Sequence, residues 1–286
     1  MSYQSPLHIL AHFDIDVKAI DEAAIIRLRK RLLAEFNLSR EITIKINKIE
    51  YTKDEIIQQI DTLKNLEDLE THVQLFKNKA VLKFCEQPKK AENPADILSV
   101  VFDDEATTPN AKAIILDAEL SALKYHLNSL DFLVPLKIIK FINHIGMENI
   151  PEAYEIIGDV LNRVEDTIDD VSKETYKKGK YEHIKFLKRL DFYQFLNELP
   201  DDFYIVRNNI SVSVINLTVR IQQKDISFVR SISKNLLWLN CDPENKRLIK
   251  DNHKAYLSPA AGTGNTGVLI FRIAIVALFL LRACLS

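Results

Sequence analysis

The sequence predicts a mainly α fold: a multi-helix body with one small N-terminal β-hairpin, followed by a C-terminal transmembrane helix. Three observations lead there. Leucine, isoleucine and valine recur at three- and four-residue steps through most of the chain, the period of a helix with one buried face. Glycine is scarce, and of six only Gly146, Gly158 and Gly179 precede residue 260. Of the last 19 residues, 16 are apolar, interrupted only by Arg272, Arg282 and Ser286.

Residues 16–36 form the first predicted helix, with Val17, Ile20, Ala24, Leu28, Leu32 and Phe36 on one side and Asp16 as its cap. Its basic cluster, Arg27, Arg29, Lys30 and Arg31, is read as a solvated face. Residues 42–52 form the hairpin. A turn at Asn47-Lys48 sets Ile46 against Ile49, Lys45 against Glu50, Ile44 against Tyr51 and Thr43 against Thr52. Lys48 sits where such a turn prefers glycine. Thr52 and Glu55 then make a capping box for a helix carrying Ile56, Ile60 and Leu63, and a further helix runs from Leu66 to Phe76.

Pro88 and Pro94 bracket the polar stretch QPKKAENP, read as the boundary between two lobes. The predicted organisation is an N-terminal helix/hairpin/helix lobe at 1–87, an all-helical lobe at 95–255, a flexible linker at 256–267 and a transmembrane anchor at 268–285. In the second lobe, Leu116, Leu120, Leu123, Leu127 and Leu130 mark one helix and residues 132–145 another. Pro151 opens a third, with a stripe of Ala153, Ile157, Val160, Val164, Ile168 and Val171. Residues 181–198 read as helical. Residues 202–222 fit a helical stripe of Val206, Ile210, Val214, Leu217 and Ile221 better than the local alternation of Ile210, Val212 and Val214. The last helix expected in the body spans roughly 226–239 and contains Trp238.

A helix from Val268 to Leu285 would be roughly 27 Å long, close to the hydrocarbon thickness of a bilayer. Its twelve Leu, Ile, Val and Phe residues favour insertion by roughly 4–7 kcal/mol in all. Arg272 and Arg282 lie near its two ends, where their heads can reach the interfaces. Lys246, Arg247, Lys250 and Lys254 precede the span and belong on the cytoplasmic side. The expectation is therefore a single-pass, tail-anchored membrane protein with the bulk of the chain cytoplasmic, touching the lipid bilayer through 268–285.

Composition narrows the function classes. Apolar residues at 47% and charged residues at 27% describe a folded body, and a net charge of −2 gives no field that would attract nucleic acid. No nucleic-acid partner is expected. Cys85, Cys241 and Cys284 are odd in number and far apart, which suggests neither a disulfide framework nor a zinc knuckle. Clustered glycines, as phosphate loops and nucleophile elbows require, are lacking in the body. Gly262, Gly264 and Gly267 spell G-x-G-x-x-G, but a dinucleotide turn needs an acidic residue about 20 positions on and none follows. No cofactor, metal or catalytic site is expected.

Three polar groupings were candidates for chemistry. Glu165, Asp166, Asp169 and Asp170 resemble a diphosphate-binding carboxylate pair. At 100° per residue, however, Asp166 and Asp170 rotate about 200° from Ile168 in opposite senses and face outward. His8 and His12 share an i, i+4 spacing but lack the third ligand that zinc needs. Lys177, Lys185 and Lys188 would share a face if one helix continued through Gly179, and are the candidate contact for lipid headgroups or an acidic partner. The reading is a protein-binding or scaffolding module that meets another protein at a membrane. The alternative is a helical metal-dependent hydrolase or transferase whose carboxylate and histidine groups meet only in the fold.

Overall fold

The computed structural model describes residues 3–16, 20–39, 43–90, 104–146, 150–172, 175–177 and 181–258. The predicted anchor 268–285 and most of its linker lie outside the described residues. Among those described, no helix is long and apolar enough to cross a membrane. The chain is mainly helical with one two-stranded antiparallel hairpin, and divides into two compact units, 1–126 and 127–286.

The first unit opens with α1 (Leu7–His12) and α2 (Glu22–Ser39), followed by β1 (Thr43–Ile46) and β2 (Ile49–Thr52). The hairpin register is Thr43–Thr52, Ile44–Tyr51, Lys45–Glu50 and Ile46–Ile49, as the side-chain pairs require. Asn47 and Lys48 take φ of 48° and 71°, so the tight turn holds a lysine in left-handed backbone. Next come α3 (Lys53–Thr62), α4 (Leu66–Lys77) and α5 (Lys79–Glu86). The α3 capping box is complete: Thr52 Oγ1 accepts from Glu55 N, and Glu55 Oε2 accepts from Thr52 N at 2.8 Å. Ile9, Leu10, Ile25, Leu28, Leu32, Ile56 and Ile60 close over one another as the core.

The helix expected from residue 16 instead begins at Glu22. Asp21, not Asp16, caps it, with Oδ1 accepting from Ala24 N at 2.6 Å. The short helices α1 and α5 escaped the sequence pattern because six and eight residues hold too few turns to show a period.

Helix α6 (Pro109–Asn128) follows and spans the division between the units. Its start is tied to α4, where Thr108 bonds Thr71 and Gln74, and Asn110 Nδ2 donates to Glu67. These bonds hold the start of α6 against α4. The buried face of α6 is also rotated from the leucine stripe. Ala111, Ile115, Ala118, Ala122 and Leu123 are buried, while Leu116 and Leu120 are only half-buried.

The second unit contains α7 (Leu133–Ile145), α8 (Pro151–Asp169), a 3-10 helix at Glu182–Lys188, α9 (Leu190–Glu198), a 3-10 turn at Asp201–Phe203, α10 (Tyr204–Ile221), α11 (Ile226–Leu236) and α12 (Pro243–Leu257). Helix α7 packs on α9, α8 on α10, and α11 on α12 and α10. Phe132, Phe186, Phe192 and Phe195 form the aromatic centre, with ring centroids 4.8–5.8 Å apart. Residues 202–222 are helical from Tyr204, and Ile210, Val214, Leu217 and Ile221 are buried as the stripe predicts. Helix α12 was missed. Two of its four buried residues are Asn245 and Asn252, so an apolar search cannot see it.

Candidate functional site

Two chain reversals meet at one end of the second unit. One joins α9 to α10 through Leu199–Phe203, and the other joins α11 to α12 through Leu237–Asp242. Asn197, near the end of α9, clamps the second reversal. Its Nδ2 donates to the Trp238 carbonyl at 2.8 Å and its Oδ1 accepts from Asn240 N at 2.7 Å. Asn208, one turn into α10, accepts from Asp242 N at 2.9 Å. Lys246 turns its ammonium group inward to the carbonyls of Leu237 and Leu239, both at 2.6 Å, which satisfies acceptors left open at the end of α11. Arg207, only 5% exposed, donates to the Leu199 carbonyl at 3.0 Å and the Pro200 carbonyl at 3.4 Å. Burial lowers its affinity for its proton, while Asp201 opposes that effect.

This fixed backbone presents large apolar side chains to solvent. Trp238, the chain's only tryptophan, is 62% exposed, Ile205 is 71% exposed and Tyr204 is 41% exposed. Ile205 lies five residues before the buried Ile210, about 140° around the helix from it. Trp238 falls two residues past Leu236, off the buried stripe of Phe228, Val229, Ile232 and Leu236. Isolated exposed apolar residues need no explanation, but these three belong to segments that Asn197 and Asn208 tie together, and large exposed side chains on hydrogen-bonded backbone are of the kind partners use as anchors.

Of the predicted basic trio, Lys177 is exposed, and Lys185 and Lys188 lie on the 3-10 helix Glu182–Lys188. Helix α8 ends at Asp169, and Ser172 and Thr175 then exchange side-chain and backbone bonds in a non-helical turn. Residues 175–177 and Tyr181 are non-helical, and Gly179 lies outside the described residues. Lys185 and Lys188 do come together, lining a groove of about 420 Å³ with Ser129, Leu130, Glu182 and Arg189. The charges there are compensated. Lys185 pairs with Glu182 at 3.3 Å, and Arg189 pairs with Asp131 at 2.8 Å and with Asp191. Lys188 rests its ammonium group 5.9 Å from the Phe228 ring centroid.

Asp166 and Asp170 are exposed, as their rotation from Ile168 predicts, and Asp169 is engaged by Ser213 and Arg220. His8 Nε2 meets Glu86 Oε1 at 2.8 Å, whereas His12 is exposed with its ring against Phe13. Among the described residues, no group of three or more His, Cys, Asp and Glu side chains could hold a metal ion.

The first unit has its own cavity of about 190 Å³, with Tyr3, Cys85, Asp117 and Ser121 in its wall. Burial pushes the Cys85 thiol up to about 12, and the carboxyls of Glu86 and Glu119 push the same way. A thiol held protonated is a poor nucleophile. Glu119 is fully buried with both carboxyl oxygens unbonded, and burial raises its pKa well above the ordinary carboxyl value. Neither the apolar junction nor Glu119 was singled out from sequence. The first was signalled only by Trp238 and Ile205 falling off their stripes, and the second only by an acid amid the buried alanines of α6. Compared with known protein families, curated proteins and solved structures, the chain matches none.

Proposed function

We propose that this chain is a membrane-anchored protein-binding module. Its helical body holds another protein on the surface formed by Trp238, Tyr204 and Ile205, and segment 268–285 anchors it, leaving the bulk of the chain in the cytoplasm. The observation that carries the reading is the exposure of Trp238 and Ile205 on backbone clamped by Asn197 and Asn208. A preorganised aromatic anchor loses little freedom on binding, and truncating such an anchor typically costs 2 kcal/mol or more, about 30-fold in Kd.

Site-specific photo-crosslinking tests this directly. A photoreactive residue at position 205 should give a discrete adduct in membrane extracts, and the same group at the exposed Glu152 on α8 should not. Equal labelling from both positions would show an undirected surface and defeat the proposal.

A further inference from the structure

We infer that the segment before α1 is a strap that closes the Cys85 cavity and lets go when His72 takes up a proton. Tyr3 is both wall and fastener. It lines the cavity of about 190 Å³ with Cys85, Pro88, Ala118 and Ser121, and its hydroxyl meets His72 Nδ1 on α4 at 2.8 Å. Its ring also stacks on the imidazole, with centroids 5.8 Å apart and planes 22° apart. Nearer α1 the chain is pinned separately. Ser5 N donates to Glu86 Oε1 at 3.2 Å, and His8 Nε2 meets the same oxygen at 2.8 Å. The strap thus has a root on Glu86 and a tip fastened through one histidine.

The fastening depends on the charge of that histidine. Burial raises the Tyr3 phenol well above its ordinary value, so the hydroxyl keeps its proton and donates it. His72 Nδ1 must then accept, which only the neutral imidazole can do. Burial lowers the pKa of His72 from 6.5, and Asp68, one turn earlier on α4, partly opposes that. The other titratable groups around the pair are Cys85 and Glu86 on α5, which act on Tyr3, His8 on α1, which Glu86 holds, and Asp117 on α6, exposed at the cavity wall. A base whose pKa is lowered by closure favours the closed form fully above 6.5. That preference is lost as pH falls from 6.5 towards the lowered value. A proton on His8 acts in the opposite sense, because it strengthens the pairing with the Glu86 carboxylate. Acid therefore frees the tip and leaves the root in place, and the fully buried Cys85 comes into reach.

Cys85 itself reports the opening. The substitutions C241S and C284S leave it as the only cysteine of the full chain, held in zwitterionic nanodiscs. Dithiodipyridine, which reacts with thiols even in weak acid, then times its exposure. Each labelling rate is divided by that of H72Q at the same pH, which cancels the thiol's own titration and keeps an acceptor for Tyr3. This ratio should rise about three- to tenfold between pH 8 and pH 5.5, tenfold being the ceiling one pH unit below 6.5. At pH 8, Y3F loses only the hydroxyl and should label about fivefold faster than its parent, the worth of one hydrogen bond. Y3A, which removes the wall, should label faster still. A ratio that stays constant with pH overturns the inference, because the histidine then gates nothing. Unchanged labelling in Y3F and Y3A overturns it as well, because Tyr3 then closes nothing. Y3A counts only while its circular dichroism matches the parent's, and otherwise Y3F decides alone.

Discussion

Glu119 carries both carboxyl oxygens into the interior of the first unit without a hydrogen bond, so the folded chain keeps its proton where the unfolded chain would release it. Unfolding then releases a proton, and stability falls as pH rises from the ordinary carboxyl value of 4.5 towards the raised folded-state value. Below 4.5 both states hold the proton and this dependence vanishes. Replacing Glu119 by leucine should stabilise the fold at neutral pH by about 1–3 kcal/mol, the cost of one unsatisfied buried polar group. It should also flatten the decline of the urea midpoint between pH 5 and 8. A destabilised variant would show that the carboxyl finds a partner in solution. Lys48 is a second residue under local strain, with φ at 71° in a two-residue turn. Lys48→Gly should raise stability by about 1 kcal/mol, because left-handed backbone costs an L-residue roughly 1–2 kcal/mol. Thermal melting of the two chains compares them directly.

Among elements, the α11–α12 reversal depends on one side chain from α9. Asn197→Ala removes the clamp on the Trp238 carbonyl and Asn240 N, and because both groups reach water the cost should be only about 1 kcal/mol. The sharper readout is Trp238 fluorescence anisotropy, which should fall as the loop gains freedom while helix content stays constant. Unchanged anisotropy would show that Asn208 and Lys246 suffice. Lys185 and Lys188 remain a proposed lipid contact, at about 1 kcal/mol for each cation near an anionic leaflet. Reversing both to glutamate should weaken binding to anionic vesicles by about 30-fold or more, and unaltered binding would make them a solvated face.

What was legible in these elements followed from local chemistry. The hairpin register was readable because four side-chain pairs agreed on it, and the α3 start because Thr52 and Glu55 serve each other. Helix α10 was readable because five apolar residues kept one period. Illegible features needed distant partners. The buried face of α6 includes Ala111, Ala118 and Ala122, which a leucine stripe cannot reveal. Helix α12 packs through asparagines bonded to residues such as Ser211, 34 positions away. The junction itself joins Asn197 to Asn240 across 43 positions, and no spacing rule within one element encodes that.

At the scale of the molecule, the proposed anchor and the folded body should be separable. The first unit has a buried core around Leu28, Leu32, Ile56 and Ile60, and in the second Phe132, Phe192, Ile210 and Ile232 are buried. Tyr256, 2% exposed near the end of α12, bonds Thr218 and takes Arg230 on its carbonyl, so the body's last helix is fastened by residues ending before Ser258. A chain ending at Ser258 should therefore keep its helical circular dichroism and its cooperative unfolding and stay in the supernatant of an ultracentrifuge. The full chain should sediment with membranes and resist carbonate extraction, because roughly 4–7 kcal/mol of favourable side-chain transfer outweighs two arginines placed near the interfaces. On the proposed topology, in which the basic residues of α12 would face the cytoplasm, protease added outside sealed cells should leave the body intact. If the shortened chain instead aggregates with its helices lost, segment 268–285 belongs to the core, and the anchor must be abandoned along with the cytoplasmic partner it implies.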